Sequence, residues 1–403
     1  MRYGVANFQP ERLRQARFAR GIRMVDLADL IGRSKTSVGR WEKGEQLPEH
    51  KPLMELASAL NTPENFFLKK IPDYGANKVF YRSNNTATRT AQNKALSRLR
   101  WAQEISSDMQ NWIELPWTDI PKIRVESAFD IKDRDIEDMA DQVRDILDLG
   151  RGPIENIILL LENCGIPVIK DYVGSDKMDG ISNFMNEDGR YYICLARDKE
   201  TCCRSRMDAA HELGHIVLHS DIENKEISDN SKFSHIEKQA YRFAGALLMP
   251  EERFSKDIGV PTLESLVRLK PRWGVSIGAM ITRCYQLGHI SYEHYRRLFK
   301  QRSYRGWSKQ EPYDDPKSTP IEEPKLLARS MKLLIEERVV TKREALEIFS
   351  LKANDVENLC NLPNGYFHIE EADVVKMPDF KHAHYGGENS RDGSGKIVPF
   401  KAN

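Results

Sequence analysis

Residues 211–215 read His-Glu-Leu-Gly-His, inside a segment that sets Met207, Ala210, Leu213 and Val217 at helical spacing. A helix turns once every 3.6 residues, so His211 and His215 project from one face, one turn apart. Two imidazoles so placed can grip one metal ion, with Glu212 beside it where a general base for a water molecule is needed. The segment must therefore be an amphipathic or largely buried helix, and histidines inside it need partners. Chance produces this five-residue pattern in on the order of one chain in a hundred of this length, so the rest of a site has to be found.

A catalytic zinc keeps three protein ligands and one position for water. His219, His235 and Glu237 lie close downstream. His219 continues the stripe of His215, but on a straight helix it stands a further ~6 Å along the axis and cannot wrap round the same ion. Glu237 falls on a second predicted helix, 233–248, with Ala240, Ala244 and Leu248 following at helical spacing. Small residues let that helix come close to another. Gly214 is small on the facing side, where a glycine costs a helix about 1 kcal/mol against alanine and so needs a packing reason. Glu237 is the expected third ligand.

The run Glu237-Lys-Gln-Ala-Tyr-Arg-Phe-Ala-Gly-Ala-Leu-Leu-Met-Pro250, downstream of His-Glu-Leu-Gly-His, resembles the ImmA/IrrE family of metallo-endopeptidases. Pro153-Ile-Glu-Asn156, Arg206-Met-Asp-Ala-Ala210 and Arg272-Trp-Gly-Val-Ser-Ile-Gly-Ala-Met280 resemble the family's longer members that carry a DNA-binding domain. The resemblance covers roughly residues 10–360, and Tyr241 departs from it where the family usually has Asn. It implies Zn2+ held by His211, His215 and Glu237, Glu212 as the catalytic base, and a protein substrate, typically a helix-turn-helix repressor whose cleavage releases phage, mobile-element or stress genes. Arg206, His235 and Tyr241 are candidates, by proximity only, for stabilising the oxyanion.

Lys and Arg (61) balance Asp and Glu (60) overall, so no global field points to nucleic acid. The excess is local: residues 1–70 hold 13 basic against 8 acidic side chains, and residues 71–105 hold 6 against 2. Within this basic stretch, 11–19, 24–32, 35–43, 52–60 and 63–68 read as short helices, with Ser34 as an N-cap and Gly32 and Gly44 as stops. Two short helices about a Gly-containing turn form a helix-turn-helix, and the order of elements resembles the Cro/C1-type (XRE) domain. Ala28, Ile31, Val38 and Trp41 would pack it. Ser34, Lys35, Thr36, Ser37 and Arg40 would face the major groove of DNA.

The expected fold is multidomain: an all-α helix-turn-helix domain (8–70), a helical connector (71–150), an α+β zincin-like metallopeptidase domain (151–305), a Pro-rich linker (306–326), a small helical C-terminal unit (327–378) and a disordered tail (379–403). In the connector, the stretch 78–101 opens on a turn rich in Ser, Asn and Thr and becomes a basic helix that continues through Ile113; it reads as a solvated interdomain helix rather than a phosphate-contacting arm. In the peptidase domain, 166–169 reads as a strand and 180–185 with 191–195 as a hairpin. The edge strand nearest the metal is expected to take an extended substrate peptide. Residues 342–350 and 354–360 could form a second helix-turn-helix, but without a basic face a partner surface fits better. His382 and His384 in the tail are expected to be idle.

No stretch approaches the ~20 apolar residues of a membrane span and no signal peptide opens the chain, so a cytoplasmic protein is expected. The six cysteines, including adjacent Cys202 and Cys203, read as reduced thiols, with redox sensing by that pair the lesser reading. The leading expectation is a DNA-binding regulator with a zinc metallo-endopeptidase domain, allowing for a homodimer. The alternative is a transcription factor or antitoxin-like autoregulator whose metal domain senses or scaffolds and does not cleave.

Overall fold

A computed structural model describes residues 4–75, 80–81, 88–175, 177–198, 200–222 and 230–368. The expectations for the tail, including His382 and His384, lie outside the described residues. The amino-terminal head is helical: α1 (Pro10–Ala19), α2 (Met24–Leu30), α3 (Lys35–Lys43), α4 (His50–Ala59) and a 3-10 turn at Glu64–Leu68. Leu13, Leu27, Ala28, Ile31, Val38, Trp41 and Leu56 form its core. Gly44 ends α3 at a φ of 73°, a left-handed conformation glycine takes without penalty. Buried Arg17 holds buried Glu42 through two hydrogen bonds of 2.5 and 2.9 Å, fixing α1 to α3.

The connector helix α5 (Arg89–Met109) is not solvated. Ala95, Leu99, Trp101, Ala102, Ile105 and Met109 are buried, because the sequence supplies an apolar stripe at helical spacing beneath the basic residues. Trp101 meets Phe66 of the head edge to face at 5.5 Å, and buried Arg12 of α1 binds Glu104. The helix ends at Met109, four residues before the expected Ile113. A short strand β1 (Phe80–Tyr81) precedes α5; after α6 (Asp133–Ile146) and α7 (Ile157–Asn163) the chain completes its sheet with β2 (Val168–Asp171), β3 (Gly180–Met185) and β4 (Arg190–Ala196). Its order is β1-β3-β4-β2; β3 runs antiparallel to β1 and β4, and β2 runs parallel to β4.

The sheet is buried on both faces, which is why its strands are nearly continuous apolar runs. Ile169, Ile181, Tyr192 and Cys194 join the core built on α5. Val168, Ile193 and Leu195, one residue out of phase, join the core built on α8 (Cys202–His219). Next to α8 packs α9 (Asn230–Leu248), which also rests on α6. Four helices follow: α10 (Glu251–Ile258), α11 (Leu263–Trp273), α12 (Ile277–Gln286) and α13 (Tyr292–Tyr304). The architecture is therefore a helical head, a mixed α/β middle with a small sheet, and C-terminal helices.

The expected linker 306–326 carries no regular element before Leu326 but is anchored. Buried Glu311 accepts from the amides of Ile277 and Gly278, opening α12, and from Lys270 and Arg302. Buried Glu322 accepts from the amides of Ile157 and Ile158, opening α7, and pairs with Arg206. The last unit is α14 (Leu326–Glu336), α15 (Lys342–Phe349) and α16 (Ala353–Leu359). Within the chain, α14, α15 and α16 pack against α5. Asp355 of α16 binds Arg20, which caps the end of α1, at 2.7 and 2.6 Å and Arg98 of α5 at 2.5 Å, and Arg98 binds Asp171 of β2 at 2.5 Å.

Candidate functional site

Thr201 caps α8 through the amide of Arg204, and the helix then runs unbroken through both histidines of the motif. His211, Glu212, His215 and His219 are all fully buried. Gly214 turns to α9: a Cβ there would stand 3.1 Å from the carbonyl oxygen of Ala240 and 3.2 Å from its Cα. That close approach brings Glu237 to the histidines. His211 Nε2 lies 3.0 Å from His215 Nε2 and 3.4 Å from Glu237 Oε2, and His215 Nε2 lies 3.2 Å from Glu237 Oε1. His211, His215 and Glu237 can each offer one ligand atom to a common metal ion.

The donors fit a zinc ion. Ligand bonds of about 2.0–2.1 Å in a tetrahedron put neighbouring donor atoms about 3.3–3.4 Å apart, close to the spacings here. Ring nitrogens and carboxylate oxygens facing one another this closely need a proton or a cation between them. Burial alone would raise the Glu237 carboxyl, but the two imidazoles outweigh it and hold it well below the usual carboxylate range. Glu212 lies outside this donor set, on the next position of α8. Its Oε1 would be 2.9 Å from a Cβ on Gly180, the first residue of β3, so the missing side chain leaves the carboxylate its place.

His219 stands behind the site, not in it. Its Nδ1 lies 3.1 Å from His215 Nδ1 and its Nε2 lies 3.1 Å from Gln239 Oε1. Burial, reinforced by His215, keeps His219 well below its ordinary pKa and so neutral. His235 stacks on Phe129 and contacts Gln239. Residues 162–285, which span these groups, match the family model of Peptidase_M78, the IrrE N-terminal-like domain. Residues 13–67 match that of a helix-turn-helix. No curated protein matches the chain.

A cleft of about 970 Å³, lined among others by Met207, Asp208, Tyr241, Phe299, Arg302 and Trp307, adjoins the site through Tyr241; His211, Glu212, His215 and Glu237 are not part of its lining. Of the three oxyanion candidates, Tyr241 alone is placed there, its ring centroid 4.4 Å from that of His211. Arg206 is turned to Glu322 and the carbonyls of Ile154 and Glu155, and serves the fold. The edge of β3 is already paired: Phe80 lies opposite Ser182 and Tyr81 opposite Ile181. All six cysteines are buried and free of disulfides, and burial pushes the Cys203 thiol up to about 12. A thiol this far from ionisation is a poor redox sensor.

In the helix-turn-helix, Val38 and Trp41 turn inward while Ser34, Lys35, Thr36 and Arg40 are exposed and Ser37 is half-buried. Ser34 accepts from the amide of Ser37 at 3.1 Å and its hydroxyl lies 2.9 Å from that of Ser37, so both hydroxyls start the helix as well as facing outward. Sequence reasoning missed Gly180, Gln239 and the role of His219. Only His219 left a signal, its i+4 step from His215.

Proposed function

We propose that this chain is a DNA-binding regulator whose IrrE-like segment is a zinc-dependent endopeptidase. The observation that carries it is the convergence of His211, His215 and Glu237 at donor spacings a zinc ion fits, with Glu212 next to His211 on α8 and Tyr241 linking His211 to the neighbouring cleft. Zinc bound there would lower the pKa of water and polarise a scissile carbonyl. Glu212 takes the proton of the attacking water and passes it to the leaving amine. Tyr241, whose ring packs on that of His211, is the residue we assign to the developing oxyanion. Lys35, Thr36 and Arg40, with Ser34 and Ser37 at the helix start, hold the head on DNA, and the substrate is a protein, with a helix-turn-helix repressor as the expected class.

Co-expression with such repressors, followed by mass spectrometry, tests the cleavage. Wild type should yield discrete fragments and Glu212→Gln none; identical uncut repressor with both, in zinc-loaded protein, would remove the peptidase reading. For the head, Arg40→Ala should weaken DNA binding by about 1–3 kcal/mol in a gel shift, and unchanged affinity would count against the α3 face. A second reading, in which the metal domain senses and does not cleave, has one observation in its favour: Phe80–Tyr81 occupies the strand edge an extended substrate would pair with.

A further inference from the structure

The tautomer of His215 is decided two residues away from any metal. Gln239 of α9 directs its Nε2 at the carbonyl oxygens of Ala128, at 2.7 Å, and Ile131, at 3.1 Å, in the segment leading into α6. Carbonyl oxygens only accept, so the atom facing them is the amide nitrogen and Oε1 must face the other way. There it lies 3.1 Å from His219 Nε2, which therefore donates. A neutral imidazole whose Nε2 donates presents its Nδ1 as an acceptor. That atom is 3.1 Å from His215 Nδ1, which must then carry the proton. The chain of bonds ends with the lone pair of His215 Nε2 directed at Glu237 and His211.

We propose that Gln239, acting through His219, is a positioning pair that fixes His215 as its Nδ1–H tautomer and so turns its Nε2 lone pair towards the metal. Metal-binding histidines generally give their second ring N–H to an oxygen acceptor. Here the acceptor is another imidazole, polarised in turn by an amide. The inference rests on the metal-site reading above, and it makes the segment Ala128–Ile131, outside the family match at 162–285, part of the machinery.

The test uses the full chain. Zinc affinity is measured by competition with a chromophoric chelator for wild type, His219→Leu, His219→Asn and Gln239→Leu, each first shown to unfold cooperatively. His219→Leu and Gln239→Leu should bind zinc about 10–100-fold more weakly. His219→Asn, whose carbonyl oxygen can replace Nδ1 as acceptor, should recover most of that loss. In metal-free wild type, 15N spectra of labelled histidine should show His215 protonated at Nδ1, and His219→Leu should move it towards a mixture. A folded His219→Leu chain with wild-type zinc affinity, or a His215 without its proton at Nδ1 in metal-free wild type, would overturn the relay. Wild type that takes up no zinc yet shows His215 as Nδ1–H would instead remove the metal-site reading and leave the relay standing.

Discussion

Gly180 leaves the Glu212 carboxylate its room. The carboxylate occupies space that any side chain at 180 would contest from 2.9 Å. Gly180→Ala should therefore leave the fold intact and zinc bound but displace the base, lowering cleavage of a sensitive protein by roughly 10²-fold, within the range a general base contributes. Glu212→Gln should lower it by up to about 10⁴-fold at unchanged zinc content. If Gly180→Ala keeps full rate, Gly180 does not set the place of the carboxylate; if Glu212→Gln keeps it, Glu212 is not the base. The motif itself was legible from 211–215 alone. Gly180 was not, because its partner is 32 positions along the chain and a glycine carries no pattern of its own.

At the scale of elements, α8 and α9 meet as the small residues Gly214, Ala240 and Ala244 foretold. That expectation needed only helical spacing, so Glu237 could be reached from sequence. Gly214→Ala sets a gain of about 1 kcal/mol in helix propensity against backbone atoms at 3.1 and 3.2 Å that cannot turn aside. The helices should separate by a few tenths of an ångström and take Glu237 with them. Zinc affinity should fall on the order of tenfold with little change in melting temperature; unaltered affinity would mean the approach does not set the ligand. The burial of α5 was misread because its basic residues drew attention from its apolar stripe, and one of those basic groups, Arg98, is spent inside the protein on Asp171 and Asp355. The pairing of Phe80–Tyr81 with β3 makes a second prediction. Proline at both positions, which cannot complete a ladder, should raise the cleavage rate if a substrate strand competes for that edge.

Across the whole molecule, Asp355 ties α1, α5 and α16 together, and Arg98 extends the tie to β2. Burial alone would raise the Asp355 carboxyl, but Arg20 and Arg98 outweigh it and depress it. A depressed acid contributes stability in full above its unfolded pKa near 4 and loses it as pH falls through the folded value. Asp355→Asn should lower stability at pH 7 by about 3 kcal/mol, at the low end for a broken buried pair because Asp171 still serves Arg98. It should also flatten the acid limb of the stability profile; an unchanged limb would show that the network is not what acid breaks. Such ties were invisible in the sequence, as were the helix-capping roles of Glu311 and Glu322 in a stretch that reads as a linker. Their partners lie tens to hundreds of residues away, and a lone acidic residue among prolines has no periodicity to read. Segments with their own pattern, the helix-turn-helix and the metal helix, were legible because local spacing decides them.

The central claim is that His211, His215 and Glu237 form a zinc site. Its most direct test is the metal content of the folded chain purified without chelator, beside Glu237→Ala. One zinc per wild-type chain and a severe loss in the variant are expected. A folded, metal-free wild type that takes up no zinc on addition would contradict the account.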